Sequence, residues 1–366
     1  MTPRAHQSDQ ATNNSSAKPV VGISMGDPCG VGPEVIVKAL ADPAVRSMGR
    51  FVVYGLEEAM AYAADQAEVA PFWFSKPHNQ VGPVESGVVV ADFGERSAID
   101  LSAAEPTKEG GEASLRFVDA AIDAALNGQI DAIVTGPIHK VSWKMAGCRF
   151  PGHTEKLADA FQARRVTMMF TGGGLRVALA SIHVALFELR NKFTIGLVFQ
   201  PIDLLDSALR KWFGVEKPRI AVAGLNPHAG EDCRFGDEEK RIIEPAIVMA
   251  RNAGIDVEGP FPADTLFVPH ISAKYDGIVA MYHDQGLIPI KILAFDSSVN
   301  VTLGLPVIRT SVDHGTAFDI AGSNQASPGS MEHAVRLACT LARRATNTDW
   351  TSSRRVVADQ KVESPG

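Results

Sequence analysis

Leu-Arg-Val-Ala-Leu-Ala-Ser-Ile (Leu175–Ile182) runs directly into His183. The same form recurs twice downstream. Arg-Ile-Ala-Val-Ala-Gly-Leu (Arg219–Leu225) precedes Asn226-Pro-His228-Ala-Gly-Glu231, and Gly-Ile-Val-Ala-Met-Tyr (Gly277–Tyr282) precedes His283-Asp-Gln-Gly286. Short apolar runs of this kind read as strands buried in a parallel sheet. Open α/β sheets bind ligands outside the carboxyl ends of their strands. The pattern therefore predicts three imidazoles gathered at one sheet edge. Neutral imidazole is a common metal ligand, and three with an open position make a catalytic metal centre. Alone, each histidine would read as a hydrogen-bonded structural residue; their repetition favours a shared metal. Pro227 and Gly230 fix the backbone around His228, and Asp284 is placed to orient the His283 ring.

Outward from these runs, apolar segments alternate with helical patterns, the signature of α/β architecture. Strands are expected over Pro19–Met25, Phe51–Tyr54, Val88–Ala91, Ile130–Val134, Val166–Phe170, Val299–Leu303 and Val307–Thr310. Helices are expected over Glu34–Leu40, Ala113–Leu126, Thr154–Gln162, Ile202–Trp212, Glu238–Arg251 and Ser330–Arg343. Gly172-Gly-Gly174 reads as a turn. The polar segment 1–18 reads as a disordered tail, as does 347–366.

At 366 residues, two domains are expected. A net charge of −7 argues against bulk nucleic-acid binding. No apolar run is long enough to span a bilayer, and no secretory apolar core is visible, so a cytoplasmic protein is expected. Cys29, Cys148, Cys233 and Cys339 form no CxxC and read as free thiols of a reducing compartment.

Four further segments carry polar groups with chemical potential. Gly152-His153-Thr154-Glu155 reads either as a helix cap at Thr154 or as an anion site at a helix N-terminus. Lys291, Asn300 and Arg309 interrupt apolar stretches, where an unpaired charge is expensive. They either pair with structural carboxylates or recognise an anionic substrate, with Lys291 as acid/base or charge stabiliser. Asp313-His314-Gly315-Thr316-Ala317-Phe318-Asp319-Ile320-Ala321-Gly322 reads either as a Gly-bounded loop that offers backbone amides and one carboxylate or as a tight loop plus a short helix. Gly26-Asp-Pro-Cys-Gly-Val-Gly-Pro33 lacks both phosphate-loop spacings and reads as a β–α turn, with Asp27 and Glu34 as lesser site candidates. His6, His78, His139, His270 and His333 read as structural or surface residues.

Together these strings resemble the 4-hydroxythreonine-4-phosphate dehydrogenase family of vitamin B6 biosynthesis. The resemblance rests on Thr135-Gly-Pro-Ile-His-Lys140, Gly152-His-Thr-Glu155, Gly224-Leu-Asn-Pro-His-Ala-Gly-Glu231, Pro262-Ala-Asp-Thr-Leu-Phe267 and Met281-Tyr-His-Asp-Gln-Gly286. The string from Asn300 to Ala317 is the most specific part. The run from His314 to Gly322 also resembles the adenosine-binding loop of isocitrate and isopropylmalate dehydrogenases. The implied fold has two α/β/α domains with a cleft between them. One domain comprises 19–135 plus 302–346 and the other 136–301.

The resemblance implies that His183, His228 and His283 bind one divalent metal (zinc, magnesium or cobalt), one of them reaching in from the neighbouring subunit of a homodimer. It implies substrate contacts by His153, Thr154, Lys291, Asn300 and Arg309. NAD or NADP would be held by His314, Gly315, Thr316, Ala317 and Asp319, with Asp264 lining its cleft. The implied reaction oxidises 4-phosphohydroxy-L-threonine to a β-keto acid that loses CO₂, giving 3-amino-2-oxopropyl phosphate. Lys291 is expected as the proton shuttle. Two departures, Met25-Gly-Asp-Pro28 and the proline position in Gly286-Leu-Ile-Pro-Ile-Lys291, bring in paralogues acting on 4-phospho-D-erythronate or phosphothreonate. A branch oxidising a terephthalate dihydrodiol lacks the Gly-His-Thr string, so Gly152–Thr154 favours a phosphorylated substrate. A three-histidine metal hydrolase is the rival from another class, and it leaves the His314 loop without a role.

Overall fold

The computed structural model describes residues 18–94 and 99–345. Apart from Lys18, the expected tails lie outside the described residues, as does His6. Twelve strands are formed: β1 (Val20–Ser24), β2 (Arg50–Gly55), β3 (Phe74–Pro77), β4 (Val88–Asp92), β5 (Ala132–Thr135), β6 (Thr167–Gly172), β7 (Leu175–Leu179), β8 (Arg219–Ala223), β9 (Asp256–Phe261), β10 (Gly277–Ala280), β11 (Val299–Leu303) and β12 (Ile308–Ser311). They join in one sheet of order β3-β4-β2-β1-β5-β12-β11-β6-β7-β10-β8-β9.

Parallel pairing runs from β3 to β12 on one side and from β7 through β10 and β8 to β9 on the other. Antiparallel pairing of β12 with β11, β11 with β6, and β6 with β7 joins the two blocks. The three strands that precede the histidines, β7, β10 and β8, are consecutive neighbours and mutually parallel. Their ends therefore share one sheet edge, as the apolar runs predict. All four residues of β10 are buried, which explains its unbroken apolar reading.

The elements that frame the site are set by local chemistry. Gly26 (φ +83°) and Gly136 let two loops meet backbone to backbone. A Cβ on Gly26 would lie 2.2 Å from the Pro137 carbonyl oxygen, and one on Gly136 2.3 Å from that of Met25. Asp27 N–H donates to the Pro137 carbonyl (2.9 Å), and Val31 N–H to the Thr316 carbonyl (2.9 Å). The loops after β1, β5 and β12 are thereby tied together. Thr107 and Thr194 cap the helices Lys108–Leu126 and Ile195–Lys211 through their side-chain oxygens. The Gly172–Gly174 turn joins β6 to β7 as a hairpin.

Candidate active site

A cleft of about 750 Å³ opens where the two blocks meet. Thr135 and Ser311 reach it from the ends of β5 and β12. Met168, Phe170 and Asn300 reach it from the antiparallel strands, and His183 and His283 from beyond β7 and β10. His153, Thr154, Glu155, Lys140, Arg309, His314 and Gly315 complete the lining used below.

Arg309 is 3 % exposed and inside β12. Its guanidinium donates to the Thr302 hydroxyl (3.0 Å) and the Thr135 hydroxyl (2.7 Å), and its Nε has no partner. No carboxylate pairs with it among the described residues. Burial pushes it down to about 10 while Glu155 pulls the other way, so it remains a cation at neutral pH. A buried cation held only by hydroxyls is short of an anion, and a planar fork suits a phosphate or carboxylate. Asn300 beside it leaves Oδ1 buried and unpartnered.

Gly152, in extended backbone, precedes the helix His153–Ala160, so Thr154 lies inside the first turn and not at the cap position. Gly152 supplies no capping side chain, which leaves first-turn amides available to an anion. The His153 ring stands edge-on to Trp143 at 5.2 Å, and its Nε2 is buried without a partner. Burial foremost, then Arg309 and Lys156, hold it well below the ordinary imidazole range. It is a neutral group in the cleft.

His183 and His283 face each other with ring centroids 6.1 Å apart. Desolvation, Lys140 and His283 lower the His183 pKa, so its ring is neutral and suited to ligate. Asp284 Oδ1 lies 2.7 Å from His283 Nδ1, which leaves Nε2 as the free ligating atom. These two donors fit a divalent cation and leave its shell incomplete. His228 does not join them. It lies outside the cleft lining, with its side chain 67 % exposed and only Glu231 (3.6 Å) and Phe235 near it. Residues 228–233 all have positive φ, a left-handed turn in which only Gly230 is glycine. Such backbone costs about 1–2 kcal/mol per non-glycine residue. Strain of that size clusters at active sites, ligand clamps and switch segments. Among the described residues, no three potential ligands come together in one chain.

Lys291 lies on the helix His283–Ala294, outside the cleft lining. Its ammonium pairs with Asp313 Oδ2 (2.6 Å) and donates to the Asp313 carbonyl (3.1 Å). It lines a neighbouring cavity of about 250 Å³ with Asp313, His314 and Ala317. Thr316 is buried, and Ala317 is left-handed (φ 44°) ahead of the turn that carries Asp319. Asp264 is exposed on the short helix Ala263–Leu266, away from the cleft lining. Thr135, Lys140, Glu155 and Asp313 stand in the quoted motifs, where the sequence assigns none of them a role of its own. Thr135 carries the plainest signal, at the end of an apolar run beside Gly136-Pro137.

The fold is α/β, and its cleft gathers a buried guanidinium, two facing imidazoles and a helix N-terminus. The family model for the pyridoxal phosphate biosynthetic protein PdxA matches residues 47–338. The 4-hydroxythreonine-4-phosphate dehydrogenases of Desulforapulum autotrophicum and Geobacter metallireducens are 45% and 46% identical, covering 89% and 90% of this chain and 96% and 97% of their own. A solved 4-hydroxythreonine-4-phosphate dehydrogenase of Klebsiella pneumoniae superposes with a TM-score of 0.79 at 37% identity, covering 89% of this chain and 99% of that one. This chain belongs to the PdxA family.

Proposed function

We propose that the chain oxidises 4-phosphohydroxy-L-threonine with NAD or NADP and a divalent metal, and that the β-keto acid formed then loses CO₂. The carrying observation is Arg309, a buried guanidinium that pairs with no carboxylate among the described residues and lines one cleft with the facing imidazoles of His183 and His283. Arg309, with Thr154 and the first-turn amides, holds an oxyanion of the substrate, and Asn300 and His153 fix its orientation. His183 and His283 would hold the divalent cation, which would supply polarisation of the substrate hydroxyl, and a bound nicotinamide would supply the hydride acceptor. Lys291 trades its Asp313 pair for the substrate and moves the proton. The loop from His314 to Asp319 would hold the cofactor's adenosine half, and Asp264 would line the cofactor's cleft.

The working unit is a cytoplasmic homodimer in which His228 completes the metal site of the partner subunit. The exposure of His228 supports this, as does an apolar face at Ile288, Ile292 and Phe295 (58, 77 and 70 % exposed). No helix among the described residues is long and apolar enough to cross a membrane. We divide the chain into 19–135 plus 302–346, which takes β12 and the end of β11, and 136–301, which takes β6, β7 and the start of β11. The test is the growth of reduced-nicotinamide absorbance with 4-phosphohydroxy-L-threonine, run beside 4-phospho-D-erythronate. Turnover of the first carries the reading. Turnover of only the second moves the same site to a sugar-acid substrate.

A further inference from the structure

The left-handed turn that carries His228 is held from beneath by one buried side chain. Glu239 is 2 % exposed and opens a π-helical turn, Glu239–Ile243. Its carboxyl accepts from Leu225 N–H (2.8 Å), Asn226 N–H (2.7 Å) and the Asn226 side-chain amide (2.9 Å). The Asn226 amide is shared with Glu238 (2.7 Å). The turn is also in close contact with this carboxyl. A Cβ on Gly230 would lie 2.8 Å from Glu239 Oε2, and one on Gly224 2.8 Å from Ala229 Cα. The entry to the turn and its middle, at Gly230, thus pack against Glu239.

We propose that Glu239 is a positioning residue that holds His228 in its outward, left-handed presentation and so sets the affinity of the metal centre. The inference rests on the reading of His228 as a ligand donated to the partner subunit. Six consecutive residues of positive φ are not self-sustaining; surrounding structure must impose them. The three N–H groups gathered by Glu239 lie directly before the turn, where they fix its entry. Without the carboxyl the two half-buried backbone donors lose their acceptor and the Asn226 amide keeps only Glu238, and the turn relaxes toward right-handed backbone, which redirects the imidazole. Outer-shell groups that orient a ligand typically change metal affinity by about 10- to 100-fold.

The test is Co²⁺ affinity of the full chain, titrated in competition with a chromophoric chelator, for Glu239→Ala, Glu239→Gln, His228→Ala and the double variant Glu239→Ala/His228→Ala. Circular dichroism and thermal unfolding without metal check the fold. Glu239→Ala is expected to weaken Co²⁺ binding by about 10- to 100-fold. The double variant is expected to bind no more weakly than His228→Ala, because Glu239 acts through that ring. Glu239→Gln retains an acceptor for the two backbone N–H groups but not for the Asn226 amide. It should lose less, and it carries the test if the alanine variant does not fold. Wild-type affinity in both Glu239 variants, with weakened binding in His228→Ala, overturns the positioning role and leaves the ligand reading intact. Additive losses overturn it too. Wild-type affinity in His228→Ala overturns both.

Discussion

Arg309 stores the opposition between stability and function in one side chain. Its charge is buried in β12 with two hydroxyls and no counter-ion. Removing a buried, unpaired charge commonly stabilises a fold, while removing the only fork for an anion destroys binding. Arg309→Met is therefore expected to unfold at or above the wild-type temperature and to raise KM at least about tenfold, the loss of one or two charge-assisted hydrogen bonds. Calorimetry with steady-state kinetics reads both. A lowered unfolding temperature would show that the guanidinium is structural. His153 makes the pH argument. Its folded pKa is depressed by burial, Arg309 and Lys156, so the unfolded chain binds a proton that the folded chain refuses. Stability should fall as pH drops below about 6.5, with His183 adding the same sign. His153→Gln should flatten this acid limb of the unfolding temperature between about pH 6.5 and 5.

At the scale of elements, the close loops after β1 and β5 give the most direct test. Gly26→Ala forces a Cβ onto the Pro137 carbonyl at a positive φ. The loop from Thr135 to Lys140 must move, at a cost of about 1–3 kcal/mol. Chemical denaturation should show that loss, and KM should rise because Thr135 holds Arg309. The same scale shows why some elements were legible and others not. The runs at β1, β2, β4, β8 and β10 were readable because burial on both faces demands unbroken apolar residues. β3 is fully exposed at a sheet edge and β9 carries Gly259-Pro260, so neither offers that signal. The helix His283–Ala294 contains Pro289, which hid the spacing that sets Lys291 apart from the cleft. The start of the helix at His153 also escaped, since the cap is a glycine with no side chain to announce it.

At the scale of the molecule, sequence places His183, His228 and His283 at one edge, and the fold agrees for the strands but not for the rings. β7, β10 and β8 are neighbours, yet a left-handed turn turns His228 outward, and backbone handedness of that kind leaves little trace in composition. A single chain thus presents two donors in its cleft and one on its surface, and we propose that a second copy completes the set. Complementation between variants tests this without assuming which surface is covered. His183→Ala and His228→Ala should each be nearly inactive alone, because every site in either homodimer lacks one ligand. Unfolded and refolded together in equal amounts, half of the dimers are mixed. In each mixed dimer one site loses both histidines and the other keeps the full set, so about a quarter of the wild-type activity should return. Ile292→Glu, placed on the exposed apolar face, should abolish that return and give a mass near one 39.1 kDa chain by light scattering. If the mixture stays as inactive as its parents while the dimer persists, His228 serves its own chain or none, and the shared site is wrong. If activity returns although Ile292→Glu remains dimeric, sharing stands and the contact face lies elsewhere.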